Sequence, residues 1–320
     1  MNIVYDGTMD SRLCKAVIGE TIAELAKEDE NVIYLDADLM NCIGTAKFAS
    51  ENPERAINCG IAEANMVGVA CGLSAVGFKP IIHTFGPFAS RRCYDQIFLS
   101  GGYAKNNVTI LGTDPGVTAA MNGGTHMPFE DVALYRALPN ATVIDVTDPT
   151  LLQSVLRQCK DLEGIKYIRV GRKSYAKVYE EGSGIPIGKA VTLKEGSDAV
   201  IFACGIMVHE AMKAAEVLKN EGIDVAVVDM FTLKPLDEVA VLDWASKTKA
   251  VVTAENHNKV GGLYSAVCDV LSNNLPTPVE YVAVDDCFGE VGTQDYLQHR
   301  FGLTSEHIVD AVKAAIDRKE

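Results

Sequence analysis

The stretch Gly60-Ile61-Ala62-Glu63-Ala64-Asn65-Met66 decides the fold of this chain. It places a small-residue turn after the short apolar segment 56–59, and Glu63 then opens an apolar run that predicts a helix over 63–76. A strand, a turn and an apolar helix form the repeating unit of a parallel α/β fold. Open parallel sheets bind ligands at the carboxyl ends of their strands, so we expect the Glu63 carboxylate at such an edge.

A second motif, Thr84-Phe85-Gly86-Pro87-Phe88, ends the next predicted strand, 79–84. The Gly-Pro pair favours a turn rather than a continued strand, which brings both phenylalanines to the same sheet edge. A carboxylate beside aromatic rings suits a flat heteroaromatic ring that is stacked and hydrogen-bonded. The pyrimidine of thiamine diphosphate is such a ring.

Length and composition indicate a soluble globular protein of two domains. The chain has 320 residues, 48% of them apolar, and a net charge of −14, which argues against a nucleic-acid surface. The longest apolar run, 66–78, is too short for a membrane span, and the N-terminus has no secretory pattern. Nine cysteines without a Cys-x-x-Cys pair predict buried free thiols in a reducing cytoplasm rather than disulfides or a zinc site.

Strand-like and helix-like segments alternate along the whole chain, which predicts two α/β domains, each with a mostly parallel central sheet flanked by helices. The polar, Gly-rich stretch 180–188 is the best linker, so we expect domains over 1–183 and 184–320. The predicted strands are 31–35, 79–84, 108–111, 142–146, 166–170, 199–203, 224–228, 250–253 and 279–284. The predicted helices are 15–27, 63–76, 90–104, 149–160, 208–220, 236–247, 263–272 and 305–317.

Five motifs in order make the chain resemble the C-terminal half of a transketolase, which consists of the pyrimidine-binding and C-terminal domains. The matching segments are 60–67, 84–88, 94–97, 123–128 and 231–237. The resemblance covers nearly the whole chain and implies a thiamine diphosphate-dependent transfer of a two-carbon ketol unit from a ketose to an aldose.

The family also needs a diphosphate-binding domain, marked by Gly-Asp-Gly and a later Asn that hold Mg²⁺ and the diphosphate. This sequence contains no Gly-Asp-Gly. The resemblance therefore implies an N-terminal partner subunit that carries the metal, with none bound by this chain. The expected assembly is an α2β2 heterotetramer with the cofactor between unlike subunits.

The resemblance to transketolase implies a cofactor or catalytic role for five residues of this chain. Glu63 is expected to hydrogen-bond the pyrimidine nitrogen, Phe88 to stack on the ring and Phe85 to wall the pocket. Asp38 is expected near the thiazolium ring, and His126 to reach the substrate next to the reacting carbonyl. Each role has a structural alternative. For Glu63 it is a charged residue in a first helical turn, and for the two phenylalanines it is ordinary core packing. For Asp38 it is a helix cap or turn, and for His126 a loop histidine paired with a neighbouring acid.

The expected substrate-binding residues show two departures from the family. Arg172 and Lys15 match cations for a terminal sugar phosphate, with a surface role as the alternative. Asp114 stands where the family has a phosphate-binding histidine, and Asn122 where it has an aspartate that binds a sugar hydroxyl. Because of these two departures, we expect a ketol donor other than xylulose 5-phosphate, differing in branch, length or terminal anion, such as a sulfonate.

The remaining histidines suggest structural roles. His257 in Glu-Asn-His-Asn matches a C-terminal-domain motif that is interpreted as packing and dimer interface. The other four, which have no evident constellation and are expected to be structural or exposed, are His83, His209, His299 and His307.

Three other interpretations are compatible with parts of this sequence. They are the β subunit of a thiamine-dependent 2-oxoacid dehydrogenase, 1-deoxy-xylulose-phosphate synthase and a non-catalytic module of the same fold.

Overall fold

The computed structural model describes residues 2–319, which form two compact units. The first unit runs up to Pro115 and resumes over Leu134–Ile187, and the second comprises Gly116–Ala133 and the chain from Gly188 onward. The main division falls in the polar, Gly-rich stretch that also holds the predicted boundary after residue 183. Residues Gly116–Ala133 belong to the second unit although they lie within the sequence of the first, and the order of strands and helices in the sequence did not predict this.

The sheet of the first unit is parallel, with its strands in the order β5-β6-β4-β3-β1-β2. Strands β1, β4 and β6 are buried at every position, as expected where helices cover both faces of a parallel sheet. The strands are β1 (Val32–Asp36), β2 (Ala56–Asn58), β3 (Lys79–Phe85), β4 (Val108–Thr113), β5 (Thr142–Asp145) and β6 (Ile165–Val170).

Helices pack against this sheet, and α1 is an amphipathic example. Helix α1 buries Val17, Ile18, Ile22 and Leu25, which share one face of the helix. The helices up to Cys159 are α1 (Cys14–Glu28), α2 (Met40–Ile43), α3 (Ala46–Glu51), α4 (Glu63–Ala75), α5 (Gly86–Ala89), α6 (Tyr94–Gln96), α7 (Asp131–Ala137) and α8 (Pro149–Cys159).

The prediction of one continuous helix over 90–104 is wrong. A 3₁₀ turn over Arg91–Cys93, the short α6 and a π-helix over Ile97–Tyr103 replace it. The Ser90 hydroxyl donates to the Gly86 carbonyl over 2.7 Å, which is the acceptor that the Ser90 amide would use in a continuous α-helix. Ser90 itself has φ −115° and ψ −90°, outside the helical region, and so separates α5 from the following turns.

The second unit contains a sheet in the order β12-β11-β8-β9-β7, parallel except for the antiparallel edge strand β7. The predicted fold class is thus confirmed in both units. The strands of this sheet are β7 (Val191–Lys194), β8 (Ala199–Ala203), β9 (Val225–Asp229), β11 (Val251–Asn258) and β12 (Val279–Val284). The short β10 (Thr232–Lys234) lies between β9 and β11 in the chain and is not part of this sheet. The helices are α9 (Met207–Asn220), α10 (Glu238–Thr248), α11 (Leu263–Asn274), α12 (Gln294–Arg300) and α13 (Ser305–Asp317).

Sequence patterning missed β7 and β10 because both are short and each offers only a few alternating side chains. None of the helices described between residues 2 and 319 is long and apolar enough to cross a membrane.

Candidate active site

The strand register of the first unit brings several strand ends to one edge. Asp36 of β1 lies opposite His83 of β3, Phe85 of β3 lies opposite Thr113 of β4, and Thr113 lies opposite Val170 of β6. The residues that follow these strands therefore lie close together, although they are far apart in the sequence. This carboxyl edge is where a parallel α/β sheet binds its ligands.

Glu63 begins α4 and is only 3% exposed. Its Oε1 accepts a hydrogen bond from Arg92 Nη1 at 2.9 Å, and the Thr84 hydroxyl donates to the same oxygen over 3.5 Å. A charge-assisted bond and the positive end of a helix both favour a carboxylate at a buried position. The side chain predicted as the cofactor contact is therefore held at the sheet edge by contacts from β3 and from the turn after α5.

Phe85 and Phe88 form an edge-to-face pair, with ring centroids 6.3 Å apart and an interplanar angle of 70°. Phe85 is buried and Phe88 is half-buried. The Cζ of Arg92 lies 3.7 Å from the Phe88 centroid, and the Cζ of Arg172 lies 5.1 Å from the Phe85 centroid. The two rings thus form an aromatic wall with an arginine on each ring.

We call Glu63, Thr84 and Phe88 the Glu63–Phe88 pocket. The Arg92 guanidinium shows what this pocket accepts, because it is a flat cation that stacks on Phe88 and donates a hydrogen bond to Glu63. An aminopyrimidine that carries a proton on its ring nitrogen has the same requirements. The described residues therefore fit the pyrimidine end of thiamine diphosphate.

Asp114 and Arg172, both predicted to bind substrate, bind each other. Arg172 donates through Nε to Asp114 Oδ1 and Oδ2 at 3.0 Å, and through Nη2 to Oδ2 at 2.6 Å. This hydrogen bonding raises the pKa of the Arg172 guanidinium, against the opposing effect of its partial burial. The backbone amide of Lys15 donates to the Arg172 carbonyl over 3.2 Å, so both predicted cations are joined to this end of the sheet.

The backbone at Asp114 and at Asp38 is left-handed, with φ values of 56° and 66°. Aspartate is one of the few non-glycine residues that adopt this conformation readily. Asp38 is exposed after β1, where its Oδ1 accepts a hydrogen bond from the Asn58 side chain at 2.9 Å. Its predicted place near the thiazolium ring remains a prediction.

A buried polar network lies beneath this edge, and sequence reasoning missed it. The His83 ring contacts Asp36 Oδ2 through Nδ1 at 2.9 Å and the Thr113 hydroxyl through Nε2 at 3.0 Å. Tyr34 donates to the same Asp36 oxygen at 2.6 Å, and burial raises the pKa of its hydroxyl well above the ordinary range. The expectation that His83 lacks a constellation is therefore wrong, because its partners come from two other strands.

One signal in the sequence could have found this network. Asp36, His83 and Thr113 are polar residues at or near the ends of otherwise apolar strands, and all three are fully buried. Buried polar groups require partners, so three of them at corresponding strand ends point to one another. The network links the strand ends that precede Asp38, Thr84 and Asp114.

Asn122 and His126 lie in the second unit, on the segment Gly116–Ala133. Asn122 is exposed, and the half-buried His126 has its Nδ1 3.0 Å from the Thr125 hydroxyl. Ala120 has φ 48° and ψ −119°, a conformation that favours glycine. This segment therefore carries backbone strain next to the two predicted substrate contacts.

The Glu-Asn-His-Asn motif of β11 has structural partners. Glu255 accepts hydrogen bonds from the backbone amides of Leu263 and Tyr264, at 2.7 and 2.8 Å, which caps α11. The Asn256 side-chain oxygen accepts from the Val117 amide at 3.0 Å, so it holds the segment that carries Asn122 and His126. These contacts agree with the packing role predicted for the motif.

Most of the cysteines are buried. Five of the nine are buried, and Cys287 is exposed, so the prediction of buried thiols is wrong at that position. Burial, with a smaller effect of Glu63, raises the pKa of the Cys93 thiol to about 12. Within the described part of the chain, no three His, Cys, Asp or Glu side chains cluster as metal ligands would.

Comparison with known proteins shows which family models and relatives the chain matches. Residues 12–177 match the family model "Transketolase, pyrimidine binding domain", and residues 188–308 match "Transketolase, C-terminal domain". The 6-deoxy-6-sulfo-D-fructose transketolase subunit SqwH of a Clostridium species is 45% identical over 319 residues, 100% of this chain and 99% of that protein. An apulose-4-phosphate transketolase subunit of Phocaeicola vulgatus is 32% identical over 296 residues, 92% of this chain and 95% of that protein.

A solved structure is similar over almost the whole chain. It is described as a split gene transketolase in an inactive beta4 tetramer, and it superposes with a TM-score of 0.89 at 40% sequence identity. The similarity covers 97% of this chain and 100% of that one.

Proposed function

The chain belongs to the transketolase family and carries its pyrimidine-binding and C-terminal domains, and from this premise we propose that it is one subunit of a two-component transketolase. The partner subunit would carry the diphosphate-binding domain and Mg²⁺, since this sequence has no Gly-Asp-Gly. Two observations support the proposal: relatives matched over at least 95% of their length are named transketolase subunits, and a split-gene transketolase shares the fold. An α2β2 assembly remains the expected arrangement.

The Glu63–Phe88 pocket carries this proposal. A buried carboxylate beside a half-buried aromatic face is the arrangement that the pyrimidine of thiamine diphosphate requires. When bound, this cofactor supplies the nucleophilic carbon that attacks the ketose carbonyl. Glu63 would hold the pyrimidine nitrogen, Phe88 would stack on the ring, and the buried Phe85 would exclude water from one side.

The remaining site residues take roles at the substrate. His126 would hydrogen-bond the substrate near its carbonyl oxygen, and Asp38 would lie toward the thiazolium end of the cofactor. Lys15, Asp114 and Arg172 would face the far end of the sugar. Asn122 would hydrogen-bond a hydroxyl group with a neutral amide instead of a carboxylate.

The Asp114–Arg172 pair favours a donor whose far end carries less charge than a phosphate dianion. A phosphate carries about −1.5 to −2 charges at neutral pH, and Arg172 is already matched by one carboxylate. The repulsion between Asp114 and an added anion at short range is about 1 kcal/mol or more. We propose a ketose with a singly charged terminus such as a sulfonate, in keeping with the sulfofructose named for one relative.

The rival 2-oxoacid dehydrogenase would share this fold, but the family models that match are those of transketolase and the relatives are named for ketose substrates. We therefore retain ketol transfer as the proposed reaction.

Replacement of Glu63 tests the proposal. In the complex with the partner subunit, Glu63→Gln and Glu63→Ala should lower the rate of deuterium exchange at the reactive carbon of bound thiamine diphosphate by at least about 100-fold. The matched control is Glu54→Gln on the exposed surface, which should exchange at the wild-type rate. Circular dichroism should show a retained fold. An unchanged exchange rate in Glu63→Ala would remove Glu63 from its assigned role.

A further inference from the structure

Arg92 contacts both walls of the Glu63–Phe88 pocket. Its Nη1 lies 2.9 Å from Glu63 Oε1, and its Cζ lies 3.7 Å from the Phe88 ring centroid. The Arg92 side chain is 45% exposed, whereas that of Glu63 is 3% exposed. The guanidinium therefore lies between solvent and a buried carboxylate.

These two contacts locate the guanidinium on the face of Phe88 that is turned toward Glu63. A pyrimidine that stacks on Phe88 and hydrogen-bonds Glu63 must use the same face and approach the same carboxylate. A separation of 3.7 Å is already a stacking distance, which leaves no room for a second flat group between Arg92 and the ring. The pyrimidine and the Arg92 guanidinium in this position thus exclude each other.

We propose that Arg92 is an internal ligand of the Glu63–Phe88 pocket that thiamine diphosphate must displace. The inference rests on the proposed function, because it assumes that the pyrimidine binds in this pocket. In the cofactor-free protein the guanidinium matches a carboxylate that would otherwise be buried without a cation, which is a costly arrangement. The aminopyrimidine takes over both contacts when it binds.

The surroundings of Arg92 allow this exchange. Its backbone lies in the three-residue 3₁₀ turn Arg91–Cys93, and the Cys93 thiol, buried behind it, donates to the Phe88 carbonyl at 3.1 Å. The turn is thus tied to the aromatic wall through Cys93, while the half-exposed Arg92 side chain can rotate into solvent without moving the backbone. A ligand that makes both contacts keeps the Glu63 carboxylate paired, so the exchange leaves no buried charge without a partner.

The first test is cofactor affinity in the two-subunit complex, measured by calorimetry with Mg²⁺ present. Arg92→Ala should bind thiamine diphosphate about tenfold more tightly than wild type and associate with it faster in stopped-flow experiments. Arg91→Ala is the matched control, because Arg91 is an exposed arginine of the same turn, and it should stay within about twofold of wild type. Arg92→Gln provides a second variant with a neutral side chain of similar reach.

The second test uses the chain alone and needs no cofactor. Arg92→Ala and Glu63→Gln should each lower the thermal midpoint, and the double variant should lower it by less than the sum, because both remove the same contact. Additive losses would contradict the contact itself.

The outcomes separate the two proposals. If the wild-type complex does not bind thiamine diphosphate, the proposed function fails. If wild type binds it and Arg92→Ala binds equally well or more weakly, Arg92 does not compete with the cofactor and this inference is wrong.

Discussion

At the scale of single residues, Asp114 decides what Arg172 can bind. The aspartate is 3% exposed and engages the guanidinium through two of its nitrogen atoms. A bidentate carboxylate already satisfies the geometry that a phosphate would use, so a substrate must either displace Asp114 or accept the donors that remain. The pair itself therefore carries little net charge.

We expect Asp114→Asn to shift donor preference toward phosphorylated ketoses. Loss of the carboxylate frees the charge of Arg172, and kcat/KM for xylulose 5-phosphate should rise about tenfold relative to 6-deoxy-6-sulfofructose, a change of about 1.4 kcal/mol. The measurement is a donor panel on the two-subunit complex with ribose 5-phosphate as acceptor. Asp310→Asn, exposed on α13, is the control and should leave the ratio unchanged.

The same panel with the wild-type complex tests the premise. A tenfold or greater preference for xylulose 5-phosphate over every other ketose would show that Asp114 and Asn122 do not alter the substrate, and the proposed donor class would then be dropped.

At the scale of secondary structure, β6 carries charged side chains in the interior of the sheet. Arg169 is 1% exposed and pairs with Asp145 of β5 at 2.8 Å. Lys166 is 2% exposed, and its Nζ donates to the Leu162 carbonyl at 2.9 Å. Burial lowers the pKa of Lys166 to about 8, because the charged form is poorly solvated.

The depressed pKa of Lys166 predicts a pH dependence with a definite sign. Below about pH 8 the lysine is charged in both states, and the folded state bears the cost of the buried charge. Between that pH and the ordinary lysine pKa near 10.4 the folded state releases its proton first, so this group adds stability as pH rises. Lys166→Met should therefore raise the free energy of unfolding at pH 7 by about 1 to 3 kcal/mol, and this advantage should shrink by pH 10.

Urea unfolding of wild type and Lys166→Met at pH 7 and pH 10 measures the effect. Lys47→Met is the control, since its side chain is 83% exposed and should make no pH-dependent difference. A stability difference that is the same at both pH values would show that burial of Lys166 does not shift its titration.

At the scale of the whole molecule, the candidate residues are divided between two units. Glu63, Phe88 and Arg172 lie in the first unit, while Asn122 and His126 lie in the second. The described residues offer contacts for the pyrimidine but no cluster of ligands for a metal ion. The proposed partner subunit would supply the diphosphate and Mg²⁺ contacts, which contribute much of the binding energy of a doubly charged group.

We therefore expect titration calorimetry to detect no micromolar binding of thiamine diphosphate by the purified chain alone. The mixture of the chain with its partner should bind the cofactor with a micromolar or lower dissociation constant. Light scattering of the mixture should give the mass of two copies of each subunit. Micromolar binding by the chain alone would contradict the two-component proposal.

The sequence alone determined the alternation of strands and helices, the two α/β domains and the family motifs. It did so because apolar periodicity and turn residues act locally, and because Glu63 and Phe88 lie within motifs of a few residues. The break in the predicted helix over 90–104 was missed because it is a backbone change at Cys93, with φ −128° and ψ 18°, which no change in hydrophobic pattern marks.

Only the tertiary structure decided the partners of these residues. The Asp36–His83–Thr113 network, the Asp114–Arg172 pair and the placement of Arg92 on Glu63 join side chains from separate strands and turns. Such contacts depend on the register between parallel strands, which is set by the packing of whole elements against each other. A charge read from the sequence as free for a substrate can therefore be neutralised by a neighbour that lies far away along the chain.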